Sequence, residues 1–228
     1  MAAAHTTFLT SAEAAFIAGV TDREVNRVID EHIVPEPLLS LVGGRRVARL
    51  GAVFISFYFK TETLFTAQLR RNLVASLAGE MRAKESWPDL LELQDDAFSP
   101  LSRWLGNVQP KEAPYLHVDI WPFLQEAKAR TEVVERALDH IKTDSEILNG
   151  TPVFKGTRVP IEGVLASLDA GVDLSRLQKS YPFLDEELVE SARVYAKVRP
   201  RRGRPRRISE MHPSWKVKSS KVVRPAQP

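Results

Sequence analysis

Apolar residues return at intervals of three and four through Val25, Val28, Ile29 and Ile33, and Asp22, Arg23, Asn26, Arg27 and Asp30 fill the positions between them. That spacing predicts an amphipathic helix with one buried and one charged face. Thr21 caps it, and Glu24 three residues on completes the T-x-x-E capping box. Ahead of it, Ser11 is placed to cap a short alanine-rich helix over residues 12–18, which Gly19 ends in the left-handed conformation. A short helix, a turn around Gly19-Val20-Thr21 and a longer amphipathic helix make a helix-turn-helix. Pro35 and Pro37 stop the second helix. Residues 38–42 and 46–50 then flank Gly43-Gly44-Arg45, which predicts a β-hairpin with a glycine turn. An apolar helix over 52–59 and an amphipathic one over 62–83 complete a first unit, residues 1–83.

The periodicity breaks over residues 84–130, where Pro88, Pro100, Pro110, Pro114 and Pro122 alternate with Trp87, Trp104 and Trp121. This stretch reads as a linker with short helical pieces whose tryptophans pack on a neighbouring domain or a partner. A second unit covers residues 131–198. In it, 152–154 and 159–161 read as two short strands joined by Lys155-Gly156-Thr157-Arg158, followed by helices over 162–170, 174–180 and 185–197. The last opens on Asp185-Glu186-Glu187, the sign the helix dipole favours. The expected fold is mainly α: a winged helix-turn-helix, a smaller helical domain with a short β-hairpin, and a basic tail over 199–228 expected to be disordered when free.

Charge sharpens this division. The 228 residues carry +3, yet the stretch 198–228 holds ten arginines and lysines against Glu210 alone, so residues 1–197 carry −6. A basic terminus with few large apolar residues points to a polyanion or an acidic cleft as its partner. The chain has no cysteine, which removes disulfides and thiolate chemistry. Its five histidines (His5, His32, His117, His140 and His212) lack metal-ligand spacing, so no metal or other cofactor is expected. No phosphate-binding glycine loop or nucleophile elbow occurs, and the adjacent carboxylates Asp95-Asp96 and Glu186-Glu187 have no histidine to complete a catalytic pair, so no enzyme is expected. The longest apolar run, residues 50–59, is half a bilayer span, and residues 1–7 lack a signal-peptide pattern. A cytoplasmic protein without membrane contact is the expectation.

The first candidate site is the helix-turn-helix. Arg23, Asn26 and Arg27 occupy the polar face of its second helix, and arginine and asparagine carry the forked donors that read guanine and adenine edges. Thr21 stands at the helix start, where amides meet phosphate. Arg45, Arg46 and Arg49 surround the hairpin turn and would contact phosphates or the adjacent minor groove. The stretch resembles the excisionase and MerR-like winged helix-turn-helix, in which a G-G-R-R hairpin follows the second helix, here Gly43-Gly44-Arg45-Arg46. The alternative is a plain helical pair with solvated charges. Asp22, Glu24, Asp30 and Glu31 dilute the positive potential, so the tail or dimerisation would have to supplement binding.

The second unit carries the pattern Gly150-Thr151-Pro152, Gly156-Thr157-Arg158-Val159-Pro160, Ala170-Gly171, Tyr181-Pro182 and Tyr195-Ala196 across residues 141–196. It resembles the small domain-of-unknown-function family four hundred and thirty-three, which departs from it in frequently having a double glycine where Asn149-Gly150 stands. The resemblance implies a homeodomain-like helical bundle and, for many members, an antitoxin encoded beside a toxin with a PIN-like nuclease fold. From the residues alone, Arg158 either anchors the hairpin by hydrogen bonds to carbonyls or faces a partner.

In the tail, Arg199-Pro200-Arg201-Arg202-Gly203-Arg204-Pro205-Arg206-Arg207 resembles an AT-hook. Arg202, Gly203, Arg204 and Arg206 would then lie in a narrow A·T minor groove. The same charge has a second use: an arginine could pair with the metal-binding carboxylates of a PIN-like nuclease. A solvated tail is the third possibility. For toxin binding the candidates are Arg158, Tyr181, Arg199, Arg201, Arg207 and Trp215. The combined expectation is a homodimeric antitoxin that inhibits a PIN-like ribonuclease and represses its own operon on double-stranded promoter DNA. The alternative is a DNA-architectural or excisionase-like factor with no toxin.

Overall fold

The computed structural model describes residues 8–84, 87–93 and 118–200. Its first helix, α1 (Ser11–Ala18), is capped by Thr10, one residue earlier than expected. The Thr10 hydroxyl accepts the Glu13 amide at 3.3 Å, and Glu13 Oε2 accepts the Thr10 amide at 2.7 Å. Counting from Thr10, and not from Ser11, puts the glutamate at the third helical position that a capping box needs. The same arrangement opens α2 (Asp22–Asp30), where Thr21 and Glu24 exchange side-chain and backbone hydrogen bonds. Gly19 between the helices has φ 69°, and a Cβ there would lie 2.0 Å from Arg130 Nη1, which donates to the Phe16 carbonyl. Glycine is therefore required twice over, by the turn and by this close approach.

The hairpin forms, with β2 (Leu39–Ser40) antiparallel to β3 (Arg46–Val47), but its strands are shorter than the expected 38–42 and 46–50, since residues 49–50 already belong to the next helix. A further strand, β1 (Leu9–Thr10), pairs on the other side of β3 in the register Leu9 to Val47 and Thr10 to Arg46. It ties the start of α1 to the root of the wing. The next helix, α3 (Arg49–Lys60), begins three residues before the expected apolar segment and buries every residue from Leu50 to Tyr58. A helix apolar on all sides belongs in a core. After it come α4 (Ala67–Arg82), capped by Thr66, and the short α5 (Trp87–Leu91).

The twenty-residue helix α6 (Trp121–His140) runs through position 130, where the expected linker ends. Its buried stripe, Leu124, Ala127, Thr131, Val134 and Ala137, packs against α1 and α3 on one side. On the other it packs against the last helix, α9 (Glu186–Val198). Phe57 of α3 meets Phe123 edge-on with ring centroids 5.5 Å apart. One buried apolar cluster continues from Leu9 to Val198.

Beyond α6, β4 (Ile141–Lys142) pairs antiparallel with β5 (Val153–Phe154). The expected partner stretch, 159–161, keeps one bridge, from Val153 to Pro160. Two further helices, α7 (Ile161–Asp169) and α8 (Leu174–Ser180), lead to α9, capped by Asp185 accepting the Leu188 amide at 2.7 Å. The protein is mainly helical, with these small antiparallel sheets. No helix among the described residues is long and apolar enough to cross a membrane.

Candidate nucleic-acid interface

Burial of Val25, Val28 and Ile29 turns Arg23 and Arg27 outward on α2 and leaves Asn26 half-buried beside the wing. Arg23 is exposed and has no ion pair among the described residues. Asn26 donates through Nδ2 to the Asp22 carbonyl at 2.8 Å and accepts Arg45 Nη1 at 3.1 Å. The second Arg45 nitrogen reaches Asp30 Oδ1 at 2.6 Å, so one guanidinium clasps the wing to the outer face of α2. Arg27 pairs with Glu31 at 2.8 Å, and Arg71 of α4 reaches the other Glu31 oxygen at 2.5 Å. The Arg27 hydrogen bond, above all, holds the Glu31 carboxyl below its ordinary range and raises Arg27 in turn. Arg46 is half-buried and has no ion pair among the described residues.

Asn26, Arg45 and Arg46 line an open groove of about 640 Å³ together with Asp22, Arg199 and Pro200. The structure thus gathers Asn26, Arg45 and Arg46, with Arg23 and Arg27 on the adjoining surface. Thr21 is spent locally, since its hydroxyl also donates to Glu24 Oε2 at 2.8 Å. Arg49 does not reach this face. It stands at the start of α3, one fifth exposed, where it pairs with Glu135 of α6 at 2.5 Å and with Glu92 at 3.7 Å. Proximity in sequence to the wing hid a change of direction, because the chain enters the core helix at that residue.

The second unit's candidates sit elsewhere. Arg158 is exposed, and among the described residues no ion pair or hydrogen bond of its side chain is found. Tyr181 is half-buried and edge-on to Phe183 (6.3 Å), which meets Phe154 in the same way at 5.8 Å. Arg199 leaves the end of α9 to pair with Glu13 Oε1 at 2.8 Å, beside α1. Arg201, Arg202, Gly203, Arg204, Arg206, Arg207 and Trp215 lie outside the described residues. Among the described residues no group of three or more histidines and carboxylates is arranged to hold a metal ion.

Two features escaped the sequence reading. Leu41 and Val42 at the wing tip are 68% and 88% exposed. The signal was present, as two consecutive apolar residues before a turn leave one with no core to enter. The second is Leu148, whose φ of 47° places a third left-handed residue ahead of Asn149 (55°) and Gly150 (78°). A left-handed leucine costs about 1–2 kcal/mol, and here it holds Leu148 half exposed near the strand end.

A charge-balanced helix-turn-helix with a wing, built into one core with a second helical unit, defines the architecture. Residues 141–196 match the family model described as protein of unknown function (DUF433). The chain is 34% identical over 203 residues to the uncharacterized protein y4eO of Sinorhizobium fredii (strain NBRC 101917 / NGR234), covering 89% of this chain and 86% of that one. It belongs to one family with that protein, and the likeness extends well beyond the DUF433 match. No solved structure matches the chain.

Proposed function

We propose that the protein is a DNA-binding antitoxin. On this reading α2 enters the major groove of its own promoter, the wing follows the backbone, and the DUF433 domain holds a PIN-like ribonuclease. The observation that carries the DNA half is the convergence of Asn26, Arg45 and Arg46 on one groove beside Arg23 and Arg27. Their pairing with Asp30 and Glu31 does not oppose this, since exposed ion pairs are worth about 1 kcal/mol or less and phosphates compete for the same arginines. The toxin half rests on the DUF433 match and on what that resemblance implies.

The test is binding to the duplex upstream of the gene, together with co-expression of the neighbouring gene's product. Arg27→Ala is expected to relax sequence discrimination, at about 1–3 kcal/mol for a lost base contact. Arg46→Ala is expected to weaken all sequences about equally. A neighbour that is harmless when expressed alone, or that does not co-purify, refutes the antitoxin half. The wing tip favours one other reading, a DNA-architectural factor without a toxin. Apolar side chains as exposed as Leu41 and Val42 are the kind that wedge between base steps and kink the duplex. Strong bending lost in Val42→Ser, with no toxic neighbour, would select that reading.

A further inference from the structure

Helices α6 and α9 pack along each other, and at one point they leave a notch of about 190 Å³ between them. Among the described residues it is lined by Val133 and Arg136 of α6 and by Glu187, Glu190, Ser191 and Val194 of α9. The floor is apolar. Val194 is buried, Val133 is half-buried, and the one hydroxyl, that of Ser191, is spent on His140 Nδ1 at 2.9 Å. The rim is charged. Arg136 stands on the α6 side and Glu187 and Glu190 on the α9 side, all three exposed and none with an ion pair among the described residues. By contrast, Glu126, Arg130, Glu135, Asp139 and Arg193 of the same two helices each have an oppositely charged partner.

We propose that this notch is the centre of a homodimer interface, in which α6 and α9 of two copies pack face to face about a twofold axis. Arg136 of each copy then crosses to Glu187 and Glu190 of the other. Its aliphatic stem covers the apolar floor, and its guanidinium forms charge-assisted hydrogen bonds at the rim. The same residues serve on both sides, as a twofold contact requires. Charge selects the occupant. A basic partner would satisfy the two glutamates and leave Arg136 unmatched, and an acidic one would do the reverse. A second copy of this chain satisfies both.

The shape of the face agrees. The twenty residues of α6 and the thirteen of α9 run about 30 and 20 Å, so two such helix pairs can cover each other as in a four-helix bundle. Tyr181 and Phe183, which precede α9, do not line the notch, so that aromatic corner is not part of the contact. The inference goes beyond the DNA-binding and toxin-holding reading and does not need it, because this chain alone supplies both halves of the interface.

The test is sedimentation equilibrium of the full chain beside Arg136→Glu, a double variant carrying Glu187→Arg and Glu190→Arg, and the triple variant. The natural chain is expected to be a dimer that loosens as salt rises, since its ion pairs lie at an exposed rim. Arg136→Glu sets like charges against each other on both sides of the axis. Its dissociation constant should rise about a hundredfold, and that of the double variant likewise. All three side chains are exposed, so each variant should keep the circular dichroism of the natural chain. Mixing the single and double variants is the deciding step. Every contact across the axis then joins opposite charges again, and native mass spectrometry should show the heterodimer in place of either homodimer. A pair formed within one chain would be restored in the triple variant but never by mixing.

A natural chain that stays monomeric at every concentration overturns the proposal, as do variants that dimerise as tightly as it does. Weakened variants that fail to recover on mixing overturn it too. If the chain is monomeric and Arg136→Glu instead releases the neighbouring gene's product, the notch belongs to that companion. If neither duplex nor companion is bound while the mixing result holds, the functional reading above falls and the dimer stands.

Discussion

The two ends of α9 face different surroundings. At its C-terminal end, around the wing and α2, arginines abound, and Arg27, Arg45 and Arg199 each have a carboxylate of the chain's own within 2.8 Å. At its N-terminal end the half-buried Tyr181 and the partly exposed Phe183 stand beside the exposed carboxylates Asp185, Glu186 and Glu187. The first surface can exchange internal carboxylates for phosphates, a trade set by salt and by the number of contacts. The second offers aromatic rings to be covered and carboxylates that favour a basic partner over a nucleic acid. Two unlike surfaces thus stand on one continuous core, because α6 packs along α9 and also against α1 and α3.

The largest effect expected is on that shared spine. Phe57 is 1% exposed and packs edge-on against Phe123 of α6. Phe57→Ala should cost about 3–5 kcal/mol. Since α6 joins both surfaces, amide-exchange protection should fall together in α2 and in α9. Protection kept in α9 while α2 exchanges freely would separate the two surfaces into independent units and break the comparison.

What the sequence made legible follows from signal length. The turn from Gly19 to Thr21, the capping box at Glu24 and the glycine hairpin each carry specific residues at fixed offsets, and all three stand in the structure. The first capping box was equally available in Thr10 and Glu13, but Ser11 is as good a cap by type and drew the assignment. Helix α6 was hidden by Trp121 and Pro122, although proline in a first turn is a normal way to start a helix. Its buried stripe also mixes Ala127, Thr131 and Ala137 with larger residues, which blurs the helical period. The strands β1 and β4 are two residues long and exist only through their partners, so no local pattern could announce them. For the site, residue types were readable and pairings were not. Nothing in the sequence told that Arg45 would fold back on Asn26 and Asp30, or that Arg49 would turn to Glu135.

A paired substitution sharpens the comparison at intermediate size. Asp30→Asn removes the carboxylate that holds Arg45, and it also removes a negative charge from the face proposed to meet DNA. DNA affinity should rise about threefold to tenfold, with steeper salt dependence, while capture of the companion protein stays unchanged. Phe183→Ser should do the reverse, weakening the companion and sparing the duplex. Measuring both substitutions in both binding assays makes the claim strict, since any crossed effect shows that the two surfaces are coupled.

The smallest effect concerns how the spine is fastened at each end. Near the helix-turn-helix, Glu126 of α6 bonds Lys60 of α3 and pairs with Arg130 at 2.6 Å. The Lys60 hydrogen bond comes first among the causes that hold its carboxyl below the usual range, and partial burial opposes it. Near the DUF433 unit, Lys155 lowers Asp139 in the same way, but on an exposed surface. A carboxyl lowered by folding stabilises in full above its unfolded value, near 4.5 for glutamate, and that contribution fades as the pH drops through the depressed folded value. Glu126→Gln should therefore cost up to about 1 kcal/mol at neutral pH, after allowance for solvent screening. Urea unfolding at pH 7 and pH 3 measures this directly, and the gap between the variant and the natural chain should narrow in acid. Asp139→Asn should show the same sign with a smaller gap, because water and salt screen that pair more completely. If the gap widens in acid, or the Asp139 pair proves the stronger, the fastening of the spine is the reverse of the one described.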